Sequence, residues 1–166
     1  MRPKKGRLLL FADTEFTDFT AMDLISIGIV SQVGHEFYAE NAEYTQSWCN
    51  EFVKSEVLPR LQGGEHAVPY SQLKEKLQLW LSDLLEEYST VLFVFDHASD
   101  GALLENLISD YPQKEKVEAR RDDLDAGIEL YFMYNRSNEH HALHDARALF
   151  NGFKVKYAGK VGVFDD

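Results

Sequence analysis

The sequence holds a single cysteine, Cys49, among 166 residues, so an intrachain disulfide and a cysteine-built zinc site are both excluded. That scarcity fits a reducing compartment, and the expected location is the cytoplasm. No apolar run approaches the roughly 20 residues that cross a bilayer, so no membrane association is expected. The first apolar run, Leu8 to Ala12, is too short for the core of a secretory signal and ends at once in Asp13 and Glu15; secretion is not expected. Repeats and low-complexity tracts are lacking, and residues 1–166 therefore read as one domain. Positive charge is also short. Against 28 Asp and Glu stand 17 Lys and Arg, a net charge of −11, which argues against broad electrostatic capture of nucleic acid on a basic face. The basic residues gather at Arg2 to Arg7 and at Lys114, Lys116, Arg120 and Arg121, where they read as solvated surface or as local phosphate contacts. What is ample is apolar content: 45% hydrophobic with 27% charged marks a globular chain long enough to bury a core.

The core-forming segments begin with Leu8-Leu9-Leu10-Phe11-Ala12, a short apolar run that reads as a buried strand and carries on into Asp13-Thr14-Glu15-Phe16. Side chains alternate along a strand, so Asp13 and Glu15 project from one face. Two carboxylates so placed repel one another and are costly to desolvate unless a cation sits between them. Hard divalent ions such as Mg²⁺ or Mn²⁺ suit such oxygen donors. Two ordinary solvated acids at an exposed strand end would give the same pattern, so the remaining ligands decide.

Further along, Leu24 to Val30 and Glu36 to Glu40 read as second and third strands, joined closely enough for an antiparallel meander. A helical stretch is expected from Ser47 to about Leu58-Pro59. An amphipathic helix follows Pro69-Tyr70-Ser71, with Leu73, Leu77, Leu81 and Leu84 at helical spacing and Trp80 as packing. Thr90 to Phe95 reads as a strand buried on both faces, ending in Asp96-His97-Ala98-Ser99-Asp100. Helix is expected through Leu103 to Ile108, solvated helix or loop over Lys114 to Asp125, a last strand over Ile128 to Met133, and helix from Glu139 to about Tyr157. The fold class is α/β: a mixed central sheet, its first three strands antiparallel, flanked by helices.

Acids thus stand at three element ends: Asp13 with Glu15, Asp96 or Asp100, and Asp145. This arrangement resembles the DEDD exonuclease superfamily, with its ribonuclease-H-like fold. Asp13-Thr14-Glu15 matches the D-x-E of motif I. In the histidine-bearing subgroup motif III is H-x₄-D, which His140 and Asp145 match within His140-His141-Ala142-Leu143-His144-Asp145. Motif II is an acid opening a helix after a buried strand, matched by Asp100-Gly101-Ala102-Leu103-Leu104. The Asp-Thr-Glu-Phe opening, the Ile-Ser-Ile-Gly second strand and the Ser-Trp pair are similar to a small bacterial exoribonuclease-like group. One departure stands out: oligoribonuclease and ribonuclease T carry an asparagine shortly before the motif II acid, whereas this chain has Phe95-Asp96-His97-Ala98-Ser99. Asp96 is therefore a rival to Asp100, which can also be read as a mere helix cap.

What the resemblance implies is a 3′-5′ exonuclease that uses two divalent ions, Mg²⁺ or Mn²⁺. Asp13, Glu15, Asp100 and Asp145 would be ligands and His140 the general base. The expected partner is single-stranded nucleic acid, RNA favoured over DNA, and a homodimer is possible by analogy. A DNA exonuclease and a non-catalytic binding or scaffold domain are the alternatives. Phe16 and Phe19 flank the acidic pair as candidates for stacking on terminal bases, with core packing as the competing role of Phe16. His140 and His144, spaced i, i+4, could instead form half of a transition-metal site. His141 and His144 otherwise read as solvated or as support for the site. A helix running through His140 would point it about 140° away from Asp145; if the helix begins after His140, that residue sits on the preceding loop and the objection lapses.

Overall fold

The protein is described here from a computed structural model covering residues 3–112 and 114–158; Arg2 of the first basic cluster lies outside the described residues. Strand β1 (Lys5–Phe16) forms the centre of a six-stranded sheet with β2 (Leu24–Ser31), β3 (Glu36–Asn41), β4 (Ala67–Val68), β5 (Tyr88–Phe95) and β6 (Lys114–Glu118), in the order β4-β3-β2-β1-β5-β6. The β1-β2-β3 meander is antiparallel, and β5 and β6 then add in parallel. Helices α1 (Tyr70–Glu87), α2 (Ala98–Ile108), α3 (Asp125–Asn135) and α4 (Ala142–Lys156) cover the sheet. Among the described residues no helix is long and apolar enough to cross a membrane.

Alternation along β1 sorts its side chains between two cores. Leu8, Leu10 and Ala12 pack with Leu73, Leu77 and Leu81 of α1 and Leu103, Leu104 and Leu107 of α2. Leu9 and Phe11 face α3 and α4 through Ile128, Ala148 and Leu149, and the Phe11 ring stacks on Phe150 at 4.9 Å. Trp80 packs against Phe37 at 5.6 Å, the structural role its spacing suggests.

Two expected elements are different in the structure. Ile128 to Met133 is not a strand; it lies inside α3. Gly127 of α3 and Gly152 of α4 explain why, since a Cβ on Gly127 would come within 2.5 Å of Gly152 Cα. The apolar side of this segment is used against a helix and not in a sheet. The outermost strand is instead β6, inside the charged stretch expected to be solvated helix or loop. Its residues are mostly exposed and its only apolar side chain is Val117, as suits a sheet edge guarded by charge. The helical stretch expected from Ser47 is present with one break: a turn at Gln46–Trp48 ends at Cys49, and residues 51–60 then run continuously helical through Val53–Val57 and Leu58–Arg60.

Where β1 and α4 meet, Gly28 is required. It pairs with Asp13 across the β1–β2 ladder, and a Cβ there would fall 2.3 Å from Leu143 N and 2.4 Å from Ala142 C. The first turn of α4 therefore lies directly on β2 at the level of Asp13. We expect Gly28→Ala to lift that turn, costing about 1–3 kcal/mol of stability as overpacking does and weakening Mn²⁺ binding with it. Thermal melting and a Mn²⁺ titration check this; wild-type values in both would refute the tight approach.

Candidate active site

The parallel pairing of β5 with β1 ends at Phe11↔Val94. Beyond it β1 keeps β2 on one side only, and its register with β2 shifts between Glu15 and Phe16. Irregularity of this kind re-aims side chains next to sites. Into the open edge come the first turns of two helices. A cleft of about 210 Å³ results, lined by Asp13, Glu15, Phe16, Phe19, Asp96, Asp100, His140 and Asp145 among others. These eight site candidates thus face one space, whereas His144, the other half of the transition-metal pair considered, and Lys114, Lys116 and Arg120 of the basic run do not line it.

Oxygen atoms of Asp13, Glu15 and Asp145 lie within 4.8 Å of one another, and so do those of Asp13, Asp96 and Asp100. The two trios share Asp13. Both rivals for the second acidic motif are therefore beside it. Asp100 is held by Thr14, whose side chain points to the opposite face of β1 from its neighbours: Thr14 Oγ1 donates to Asp100 Oδ1 at 2.6 Å and Thr14 N at 3.1 Å. The helix-capping role considered for Asp100 falls to His97, whose Nδ1 accepts from Ser99 N at 3.2 Å.

His140 precedes α4 and its N-cap His141, with φ at 65°. The helix therefore starts late enough for His140 to face the cleft with Asp145. Left-handed backbone at a non-glycine residue is strained and clusters at functional positions. Its ring meets Phe52 edge-on at 4.9 Å, and its backbone N–H donates to the Asp145 carboxylate. The other two histidines are not solvated. His141 is buried, stacked on Tyr38 at 4.5 Å and 3.1 Å from Gln62 Nε2. His144 Nδ1 lies 2.7 Å from Tyr131 Oη. Burial lowers the pKa of both, His144 to about 4, and no metal-ligating cluster among the described residues includes a histidine.

Phe16 packs on the core while lining the cleft. Phe19, 68% exposed, stands edge-on to it at 5.1 Å and meets the His97 ring at 5.6 Å. Arg121 also lines the cleft, its Nη1 donating to Asp96 Oδ2 at 2.7 Å. Its place comes from the β5–β6 register: Phe95 pairs with Glu118, and Ala119 N donates to Phe95 O at 2.7 Å. The turn Arg121–Asp123 is thereby delivered beside the end of β5.

These carboxylates are out of balance by themselves. Burial, then the charges of Asp100 and Asp145, push Asp13 well above the usual carboxylate range. Burial and Asp145 do the same to Glu15. Burial raises Asp100 to about 6 and Asp145 to about 7, against the opposing pull of hydrogen bonds from Thr14 and Glu15. The donor set is all oxygen, as hard divalent cations require, and such a cation would relieve the crowding without protonation.

No known family model matches the chain. Over 79 residues it is 37% identical to the 3′-5′ exoribonuclease Rv2179c of Mycobacterium tuberculosis strain H37Rv, and equally to the 3′-5′ exoribonuclease MT2234.1 of strain CDC 1551. The match spans 45% of this chain and 44% of each relative, so less than half the length of those proteins is covered.

Raised carboxylate pKa values carry a sign for stability. The native state keeps protons that the unfolded chain gives up near pH 4, so without cations stability is full below that and falls as pH rises through about 6 to 7. We expect the melting temperature of protein held in EDTA to drop from pH 5 to pH 8, and Mn²⁺ to raise it more at pH 8. A flat or rising profile in EDTA would contradict the crowding.

Proposed function

We propose that this protein is a metal-dependent 3′-5′ exoribonuclease that releases nucleoside 5′-monophosphates from the 3′ end of single-stranded RNA. The observation that carries the reading is the pair of carboxylate trios sharing Asp13; the names of the two partial relatives agree with it. In this reading Asp13 would serve two Mg²⁺ or Mn²⁺ ions. Glu15 and Asp145 would complete the donor set for one, and Asp100, with Asp96 beside it, for the other. Bound there, the ions would neutralise charge at the scissile phosphate and acidify a water, the usual two-ion chemistry.

The chain's own groups supply the rest. His140, at the mouth of the cleft on the Asp145 side, takes the proton of the attacking water as general base, a task suited to imidazole near neutral pH. Its strained backbone and the Phe52 edge hold the ring in place. Thr14 orients Asp100 through two hydrogen bonds that leave its other oxygen free. Phe19 offers an aromatic face to a terminal base, with Phe16 behind it. Fixed positions and charge stabilisation at the phosphate account for most of the acceleration in such a site.

End-labelled single-stranded RNA and DNA, incubated with Mg²⁺, Mn²⁺ or EDTA, test the reading. Metal-dependent laddering from the 3′ end on RNA alone is expected; equal degradation of DNA would redirect the substrate, and binding without cleavage would overturn catalysis. Asp13→Ala should abolish turnover while the EDTA-treated variant melts at or above wild type near neutral pH, because a repelling carboxylate is gone. His140→Ala should lower kcat by roughly 10²–10⁴-fold, the range for a lost general base, and far more than His141→Ala. The reverse ranking would move the base by one residue.

A further inference from the structure

The cleft presents six carboxylates, Asp13, Glu15, Asp96, Asp100, Glu139 and Asp145, and a single guanidinium, Arg121. Arg121 is 56% exposed at its side chain, yet the carboxylate it holds, on Asp96, is only 9% exposed. That same carboxylate belongs to the trio with Asp13 and Asp100. Asp96 is therefore offered to two cations at once, a guanidinium already bonded to Oδ2 and a divalent ion between the aspartates. A second carboxylate, on Asp125, lies 3.7 Å from Arg121 Nε, too far for a good hydrogen bond. The fork of Arg121 is consequently tied down at one point only.

A substrate phosphate is the natural competitor for it. Guanidinium groups bind phosphate oxygens in a planar, two-point geometry that a single bond to Asp96 does not use. Arg121 also stands at the junction of two depressions. It lines the acidic cleft and, with Ile128, Phe132 and Glu139, an adjoining groove along α3 whose lining also includes Arg136, Asp125 and Glu129. Moving Arg121 from Asp96 to a phosphate keeps the guanidinium paired and releases a nearly buried carboxylate beside Asp13. A buried unpaired charge is strongly disfavoured, so the freed Asp96 has reason to take up a cation.

We propose that Arg121 is the phosphate-binding residue of this cleft, and that it reaches the phosphate by leaving Asp96, which then completes the second cation site with Asp13 and Asp100. This rests on the nuclease reading above and adds to it an order of events: the second ion is held tightly only when a nucleotide phosphate is present. A site so arranged would hold back full cation loading until substrate arrives.

Electron paramagnetic resonance titrations of the full chain with Mn²⁺, with and without adenosine 5′-monophosphate, test the proposal. Wild-type protein should bind one Mn²⁺ tightly alone and a second at least ten-fold more tightly when the nucleotide is added. Arg121→Gln should bind the second Mn²⁺ tightly without nucleotide, and bind the nucleotide roughly ten-fold more weakly, the loss expected for one charge-assisted pair. Arg121→Lys, which keeps the charge without the fork, should fall between the two, and melting curves in saturating Mn²⁺ establish that both variants fold. If Arg121→Gln binds nucleotide as wild type does, or weakens it without changing the second Mn²⁺ site, the proposal is overturned. Wild-type protein that degrades RNA while the variant behaves identically would remove this inference alone. Wild-type protein that neither degrades RNA nor binds the nucleotide would remove the nuclease reading beneath it.

Discussion

Mutual repulsion among carboxylates around Asp13 is the constraint on which the rest of the site depends. Asp13 stands on the central strand, with Glu15 and Asp145 on one side of it and Asp96 and Asp100 on the other. Water does not relieve the crowding, because burial is the leading cause of every raised pKa in the group. Only protons, a guanidinium or metal cations can. The apoprotein uses the first two: raised pKa values at Asp13, Glu15, Asp100 and Asp145, and Arg121 against Asp96. A chain that assembles such a cluster at the end of its central strand gives up stability near neutral pH, a cost that bound cations would remove.

The scaffold brings these groups together by ordinary packing rules. Alternation along β1 sends Leu9 and Phe11 to the α3–α4 core and continues that face into Asp13 and Glu15. The neighbouring residue, Thr14, faces the α2 side and meets Asp100 there. Gly28 allows α4 to sit directly on β2, which brings Asp145 to the level of Asp13. The start of α4 after His140 then turns that imidazole toward the same cleft. The carboxylates of the cleft, Asp13, Glu15, Asp96, Asp100 and Asp145, are thus placed by strand ends or first helical turns, where geometry is least free to drift.

Much of this could be read from the residues. The apolar run ending in Asp13 and Glu15, the second strand with its Ser-Ile-Gly, and the buried run Thr90 to Phe95 all follow periodicity, and the sheet bears them out. Ile128 to Met133 misled because tyrosine, phenylalanine and isoleucine favour strands, whereas the decisive feature, the Gly127–Gly152 contact, joins residues distant in sequence. Lys114 to Glu118 misled in the opposite direction: an edge strand made of charged residues carries no apolar alternation to detect. Asp100 is the acid the sequence favours, with Asp96 its rival; the fold puts both beside Asp13, and only it reveals that Thr14 holds one and Arg121 the other. Arg121 itself sat inside a basic run in which solvated surface and phosphate contact read alike. Its partner lies 25 residues away, and no local pattern reports that.

The most direct test of the central claim is anomalous scattering from crystals grown above pH 7 and soaked with Mn²⁺ and adenosine 5′-monophosphate. The account predicts two manganese peaks about 3.5–4 Å apart, both within coordination distance of Asp13. A map with no manganese at Asp13, the carboxylates still converging there, would contradict it.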